Sequence, residues 1–306
     1  MERFGRLPPV LAQHSGLLLV LGAYSAFAAH DALVKALVAH YASGEILFMR
    51  SLTVVVLCLS LGGRGVITRG LFSPVRNKLL VRSFLTLTAW LLYYSSARYL
   101  GLAQLITIYF ASPLIVAVLA GPMLGERVTL VRWFALGIGF VGVVLAAHPR
   151  GSSPLLPVLC VGAAAIIWAY TMILMRQIAA QIRGYDQIFL IGVIFVVVCG
   201  GTLPFVWRTP TLPASALMLS LGLISTTAQL LLIEGVKRAQ ASVVAPMEFS
   251  GLLWSFVFGY LLFGDIPPVG VFLGAGLILL SGGMVVTSEI RQARRDRMAR
   301  EVSPLG

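Results

Sequence analysis

The sequence predicts an all-helical, multi-pass membrane protein with ten transmembrane helices arranged as two inverted five-helix repeats. Three observations predict it. First, the 306 residues are 58% hydrophobic and only 11% charged, whereas a soluble domain carries roughly 25% charged residues. Second, the apolar residues gather into runs close to the roughly 20 residues a spanning helix needs. These runs are continuous, without the period-two alternation of barrel strands, so they read as helices. Third, the two halves of the chain resemble each other.

The runs lie at about 16–38, 45–62, 79–100, 102–121, 129–147, 155–177, 186–207, 214–236, 241–263 and 268–288. The first follows MERFGRLPPVLAQHSG and continues as far as Asp31 and Lys35. A secretory signal would end sooner, so this is read as a retained span. The longest connection, Gly62 to Lys78, is basic, carries a Ser-Pro turn and reads as a loop. The remaining connections are short. Residues 1–150 form the expected N-terminal repeat, and 151–306 the C-terminal repeat with a basic cytoplasmic tail.

Charge orients the chain. Most of the 23 Lys and Arg fall on alternate connections, the set that includes both termini. The opposite set holds only Lys35, Arg98, Arg150 and Arg208. Positive connections stay in the cytoplasm, so both termini are expected inside, with basic loops against the anionic leaflet. This also accounts for the net charge of +12 without nucleic acid, whose binders cluster basic residues on a soluble face.

The internal repeat rests on aligned pairs. Gly125-Glu126 matches Gly264-Asp265, and the same offset pairs Arg98 with Lys237 and Gly137 with Gly276. An offset two residues longer pairs Phe27 with Trp168 and Lys35 with Arg176. Five spans per half is odd, so the second half enters the bilayer from the other side. Inverted repeats of this kind serve alternating access, with substrate near the midplane.

The stretches ASPLIVAVLAGPMLGERVTLVRWFALGIGFVGVVL and VVAPMEFSGLLWSFVFGYLLFGD share a proline, a closing Gly-Glu or Gly-Asp and a Gly-rich continuation. With HDALVKAL and EILFMRSL, they resemble the EamA-like group of the drug/metabolite transporter superfamily over residues 15–288. In the second half Leu252 stands where the mid-span proline would be, and the proline shifts to Pro246. The resemblance implies ten helices and a cargo of small organic metabolites, with helices one, three, four, six, eight and nine lining the cavity. Members include YddG-type amino-acid exporters and S-adenosylmethionine uptake proteins.

Among the eleven acids, only Asp31 and Glu248 lie more than a turn inside a predicted span. A charge at the bilayer centre costs about 2.5–3.5 kcal/mol on insertion scales. Glu248 must therefore face a protein interior or a wet cavity, or be protonated. Its functional reading is a substrate-ammonium contact or a proton carrier. Its structural reading is a neutral acid bonded to backbone freed by Pro246, which cannot donate to the helix ladder. Asp31 and Lys35 stand four apart and share a helix face, with His30 adjacent. A plain intrahelical pair is the simple reading; an outer gate or a contact to a substrate carboxylate is the sharper one. Arg50 is expected to reach the outer surface or to pair with Asp31 or Glu45.

Trp90, Tyr93, Tyr94 and Ala97 form one stripe at i, i+3, i+4 and i+7. Tyr109 and Trp168 fall near the centres of their runs, away from the interfaces where such rings usually gather. They are either packing or the wall of a cavity, whose rings hold apolar side chains and, by cation–π contact, an amino group. Gln229 would add an amide. Pro113, Pro122, Pro204 and Pro246 are candidate kinks or hinges. Gly137, Gly139 and Gly142, with Gly270 and Gly274, would let helices approach closely; a homodimer through these faces is a second use.

No P-loop, H-E-x-x-H or G-x-S-x-G motif occurs. Cys58, Cys160 and Cys199 lack metal-ligand spacing, and the four histidines are scattered. No metal, cofactor or enzymatic activity is expected. A lipid-modifying enzyme would need acids or histidines clustered at one membrane face. The expectation is an inner-membrane secondary transporter of small metabolites in a lipid bilayer. The resemblance adds export of aromatic and other neutral amino acids, or alternatively uptake of a cationic metabolite like S-adenosylmethionine.

Overall fold

The computed structural model describes residues 9–124, 130–147, 154–178, 181–238 and 250–302. Among them every regular element is a helix. The first half holds α1 (Pro9–Val38), α2 (Ser43–Gly62), α3 (Gly65–Leu71), α4 (Arg76–Ala97), α5 (Leu102–Tyr109), α6 (Ala111–Leu124) and α7 (Leu130–Ala147). The second holds α8 (Leu155–Ile178), α9 (Gly184–Val206), α10 (Leu212–Arg238), α11 (Ser250–Phe263) and α12 (Val269–Val302). Among the described residues, five helical stretches are long and apolar enough to cross a membrane: Leu18–Val38, Ser43–Gly62, Leu155–Met175, Gly184–Val206 and Leu212–Leu232. Their outer faces carry large exposed apolar residues such as Leu18, Val197 and Leu223, as lipid-facing helices should.

Three elements depart from expectation. The predicted run 102–121 is broken between α5 and α6. Pro113 explains the break: it has no N–H for the carbonyl four residues earlier, which is that of Tyr109. The connection from Gly62 to Lys78 is not wholly loop but contains α3. This helix is pinned by a two-pronged ion pair in which Arg69 Nε and Nη2 donate to the two oxygens of Asp186 at 3.0 and 3.1 Å. That hydrogen bond also raises the pKa of Arg69. The predicted run 268–288 is extended, because α12 continues through residues 289–302.

The helix contacts come in matching sets. α1 packs on α10, and α4 on α8. α1 packs on α11, and α6 on α8; α2 meets α10, and α4 meets α9. α2 pairs with α9, and α7 with α12. Exchanging the halves converts each of the first three sets into itself and leaves the last two pairings unchanged. The α7–α12 seam is tight: a Cβ on Gly142 would lie 2.8 Å from the Gly274 carbonyl oxygen, and one on Gly274 would lie 2.4 Å from that of Gly142. The largest apolar core runs from Val34 and Leu37 of α1 through Tyr94 of α4 to Phe195 of α9 and Met218 of α10.

Candidate substrate site

The stripe on α4 faces inward. Trp90 and Tyr94 have ring centroids 5.4 Å apart, and Tyr94 and Tyr93 6.4 Å. Tyr93 meets Tyr109, the last residue of α5, edge to face at 4.9 Å. Tyr109 lies 6.4 Å from Trp168 of α8, and Trp168 lies 6.4 Å from Trp90. The five rings therefore close a circuit drawn from three helices and both halves. The helix break after Tyr109 places this ring at the end of α5, where Pro113 interrupts the ladder. Such offset and edge contacts fit the aromatic quadrupole.

A polar chain runs behind the rings. Arg50 of α2 is buried, with its guanidinium 4.1 Å from the Trp90 centroid and 6.0 Å from that of Phe195. Its Nη1 donates to the Tyr94 hydroxyl at 3.0 Å. That hydroxyl stands 3.3 Å from His30 Nε2, and His30 Nδ1 stands 3.2 Å from Asp31 Oδ1. The Tyr93 hydroxyl donates to Asp31 Oδ2 at 3.3 Å. One assignment of protons satisfies the chain. Tyr94 accepts from Arg50 and donates to Nε2, while Nδ1–H donates to Asp31. His30 is then neutral and every donor points toward the Asp31 carboxylate.

Two expectations for charged residues are corrected. Lys35 forms its ion pair with Asp265, just after α11, rather than with Asp31 four residues back. It also lies 4.6 Å over the Phe263 ring. Asp31 is taken by His30 and Tyr93, which leaves Lys35 to extend toward the next acid. Arg50 neither reaches the surface nor pairs with Asp31 or Glu45; the Trp90 and Phe195 faces hold it inside. Gln229 does not join the aromatic circuit. It lines a small cavity with Arg50, Ser51 and Val54 of α2, Ile188, Ile191, Gly192 and Phe195 of α9, and Ser225 and Thr226 of α10. Pro113 is the third residue of α6. Pro246 and Glu248 lie outside the described residues.

Sequence reasoning overlooked Phe195 and Thr226. Both sit in apolar runs where nothing distinguishes them from core. Asp265 closes a Gly-Asp motif visible in the sequence, but its partner 230 positions away leaves no local signal. Gly264 places it. With φ at +63°, Gly264 adopts a left-handed conformation that suits glycine, and the turned chain lets the Asp265 N–H reach the Gly259 carbonyl at 3.0 Å.

The chain belongs to the EamA-like transporter family, whose model matches residues 14–147 and again 155–287. It is a multi-pass membrane protein of a transporter family. It is 28% identical to the riboflavin transporter of Vibrio cholerae over 68% of this chain and 69% of that one. It is 25% identical to the pseudopaline exporter CntI of Pseudomonas aeruginosa, over 87% and 94% respectively. It is 26% identical to the S-adenosylmethionine uptake transporter of Rickettsia bellii, over 85% and 89%. A solved crystal structure at 15% identity covers 92% of this chain and 99% of its own, with a TM-score of 0.63. That likeness speaks for the fold alone.

Proposed function

We propose that the protein is a ten-span secondary transporter of the inner membrane, with cytoplasmic termini, that works by alternating access and exports aromatic and other neutral amino acids. The observation that carries this reading is the circuit of Trp90, Tyr94, Tyr93, Tyr109 and Trp168, whose Tyr93 hydroxyl donates to the acid Asp31. Rings from both halves can grip a flat side chain by stacking, and Asp31 can receive an ammonium. Because the wall belongs to both halves, a rocking motion would change its shape, and cargo must bind the two shapes unequally to bias them.

The exchange symmetry of the helix contacts supports dividing the chain near residue 150 into two repeats. The alternation of basic connections supports cytoplasmic termini. Glu248 is the first candidate for proton coupling, and Asp31, beside His30, is the reserve. Pro113 and Pro246 are the proposed hinges, and Gln229 a polar contact for cargo.

The test is counterflow in proteoliposomes across labelled amino acids, with and without a pH gradient. Exchange of at least one aromatic amino acid, reduced in Trp168→Ala, is the expected result. A protein that moves none of the panel sinks the amino-acid reading. A second reading, uptake of a cationic metabolite, is favoured by the S-adenosylmethionine transporter likeness over 85% of the chain. Cells expressing the protein would then become more sensitive to toxic analogues rather than more tolerant.

A further inference from the structure

Arg50 and Thr226 are 6% and 2% exposed, and both line the cavity between α2, α9 and α10. Arg50 Nε and Thr226 Oγ1 are each buried without a hydrogen-bond partner. Among the described residues Lys35 pairs with Asp265 and Arg69 with Asp186, whereas Arg50 has no carboxylate partner there. The Tyr94 hydroxyl is neutral, and the Trp90 face stabilises the charge without accepting from Nε. A buried cation held this way is expensive unless an anion completes it, and an unpartnered buried hydroxyl adds to the cost.

The residues that carry the two unpartnered donors line one cavity, and Arg50 is the one charged residue among its lining. One cation balances one negative charge. A guanidinium fork matches a carboxylate, whose two oxygens can accept from two directions. Inorganic phosphate, a mixture of mono- and dianion at neutral pH, carries more charge on average than one guanidinium balances.

We propose that this cavity binds a carboxylate of the transported molecule, with Arg50 Nε and Thr226 Oγ1 as donors and the Gln229 amide beside them. The proposal rests on the transporter reading above and adds an anionic anchor on the opposite side of Arg50 from the tyrosine–histidine–aspartate chain. It makes the site two-ended: a carboxylate pocket and an acid, with aromatic rings between.

The experiment uses the full chain, purified in detergent and also reconstituted. Thermal stabilisation is titrated with L-phenylalanine, phenethylamine, sodium benzoate, sodium chloride and inorganic phosphate, and counterflow is run with the first two. Wild type, Thr226→Val and Arg50→Lys are compared. L-phenylalanine and benzoate should stabilise the wild type, whereas chloride and phosphate should not. Thr226→Val should weaken both carboxylates roughly tenfold and leave phenethylamine unchanged. Thr226→Val keeps the side-chain shape, so the test survives if Arg50→Lys fails to fold. If Thr226→Val melts higher and keeps the wild-type preference, the hydroxyl is structural and the pocket is overturned. Stabilisation by chloride alone, or equal handling of acid and amine by wild type, also overturns it while leaving transport standing. Absence of counterflow for both compounds, with benzoate still binding through Thr226, would keep the pocket and sink the amino-acid cargo.

Discussion

Lys35 of α1 and Asp265, in the turn after α11, form an ion pair that joins the first half of the chain to the second. The same carboxylate accepts from the Leu102 N–H at 3.3 Å, at the start of α5. Asp265 thus serves three elements: it ends the turn made by Gly264, neutralises Lys35 and faces the positive end of a helix. Its side chain is 30% exposed and that of Lys35 13%, so the pair is partly screened.

Removing either charge should cost about 1–2 kcal/mol, the range for a hydrogen bond to a charged group discounted for exposure. Lys35→Met and Asp265→Asn should each lower the thermal midpoint in detergent by a few degrees. Lys35→Asp combined with Asp265→Lys should recover part of the Lys35 interaction but none of the cap on α5. A double variant as stable as wild type would show that the cap contributes nothing.

The aromatic circuit makes a separable prediction. Trp168→Ala and Trp90→Ala should each raise KM for an aromatic cargo by roughly two- to tenfold, since aromatic pairs contribute about 0.5–1.5 kcal/mol beyond their area. Trp90→Ala should also lower stability, because Trp90 lies under the Arg50 guanidinium. Trp168→Phe should restore most of the Trp168 effect. Counterflow with a small aliphatic amino acid is the control; an equal loss there would point to a packing defect rather than lost recognition.

How far the sequence was legible follows from the range of each signal. Apolar runs are local and periodic, so most helix ends among the described residues fall within a few residues of the expected ones, the exceptions being the start of α1, the split run 102–121 and the end of α12. The stripe at 90, 93 and 94 could be read because its spacing lies within one helix. The pairing of Lys35 with Asp265 could not, since it is set by how the halves dock. Asp31 and Lys35 share a face, and only the positions of His30 and Tyr93 show why the closer acid is already engaged. Arg50 was misplaced for the same reason: its burial depends on the Trp90 and Phe195 rings arriving from two other helices. The break at Phe110 was legible in principle from Pro113, but an apolar run hides a change of helix.

The α7–α12 seam should be intolerant of any added carbon. Gly142→Ala and Gly274→Ala each push a methyl into the facing backbone carbonyl, and neither carbonyl can rotate away without breaking its own helix. Overpacking of this kind costs about 1–3 kcal/mol. Gly137→Ala, which would meet nothing within 4 Å, is the control and should melt with the wild type. Loss of monodisperse protein in the first two variants but not in Gly137→Ala is the expected chromatographic result.

Arg69 and Asp186 tie α3 to the start of α9, and their exposures differ sharply. The Arg69 side chain is 41% exposed and that of Asp186 1%. The cost of breaking the pair therefore depends on which partner goes. Arg69→Ala strands a buried carboxylate, whereas Asp186→Asn leaves a guanidinium that water can reach. Asp186→Asn should melt above Arg69→Ala, and the double variant Arg69→Ala/Asp186→Asn should also melt above Arg69→Ala. The reverse order would mean that water already reaches Asp186 in the folded protein.

The internal repeat extends the Lys35–Asp265 pair to a second set of charges. The offset that aligns Gly264-Asp265 with Gly125-Glu126 aligns Asp265 with Glu126, and the slightly longer one aligns Lys35 with Arg176. Glu126 lies outside the described residues, so the expectation comes from the sequence. Two inverted repeats that alternate should use equivalent charges on opposite membrane faces. Neutralising Asp265 should therefore favour opening toward one side, and neutralising Glu126 toward the other. Single cysteines near the outer ends of α1 and α10 report the balance through labelling by an impermeant reagent. Asp265→Asn should speed labelling and Glu126→Gln should slow it. A tenfold change in the open-to-closed ratio corresponds to about 1.4 kcal/mol, within reach of one partly buried ion pair. If both substitutions shift labelling in the same direction, the two charge sets are not equivalents and the inverted-repeat reading loses its support at these positions.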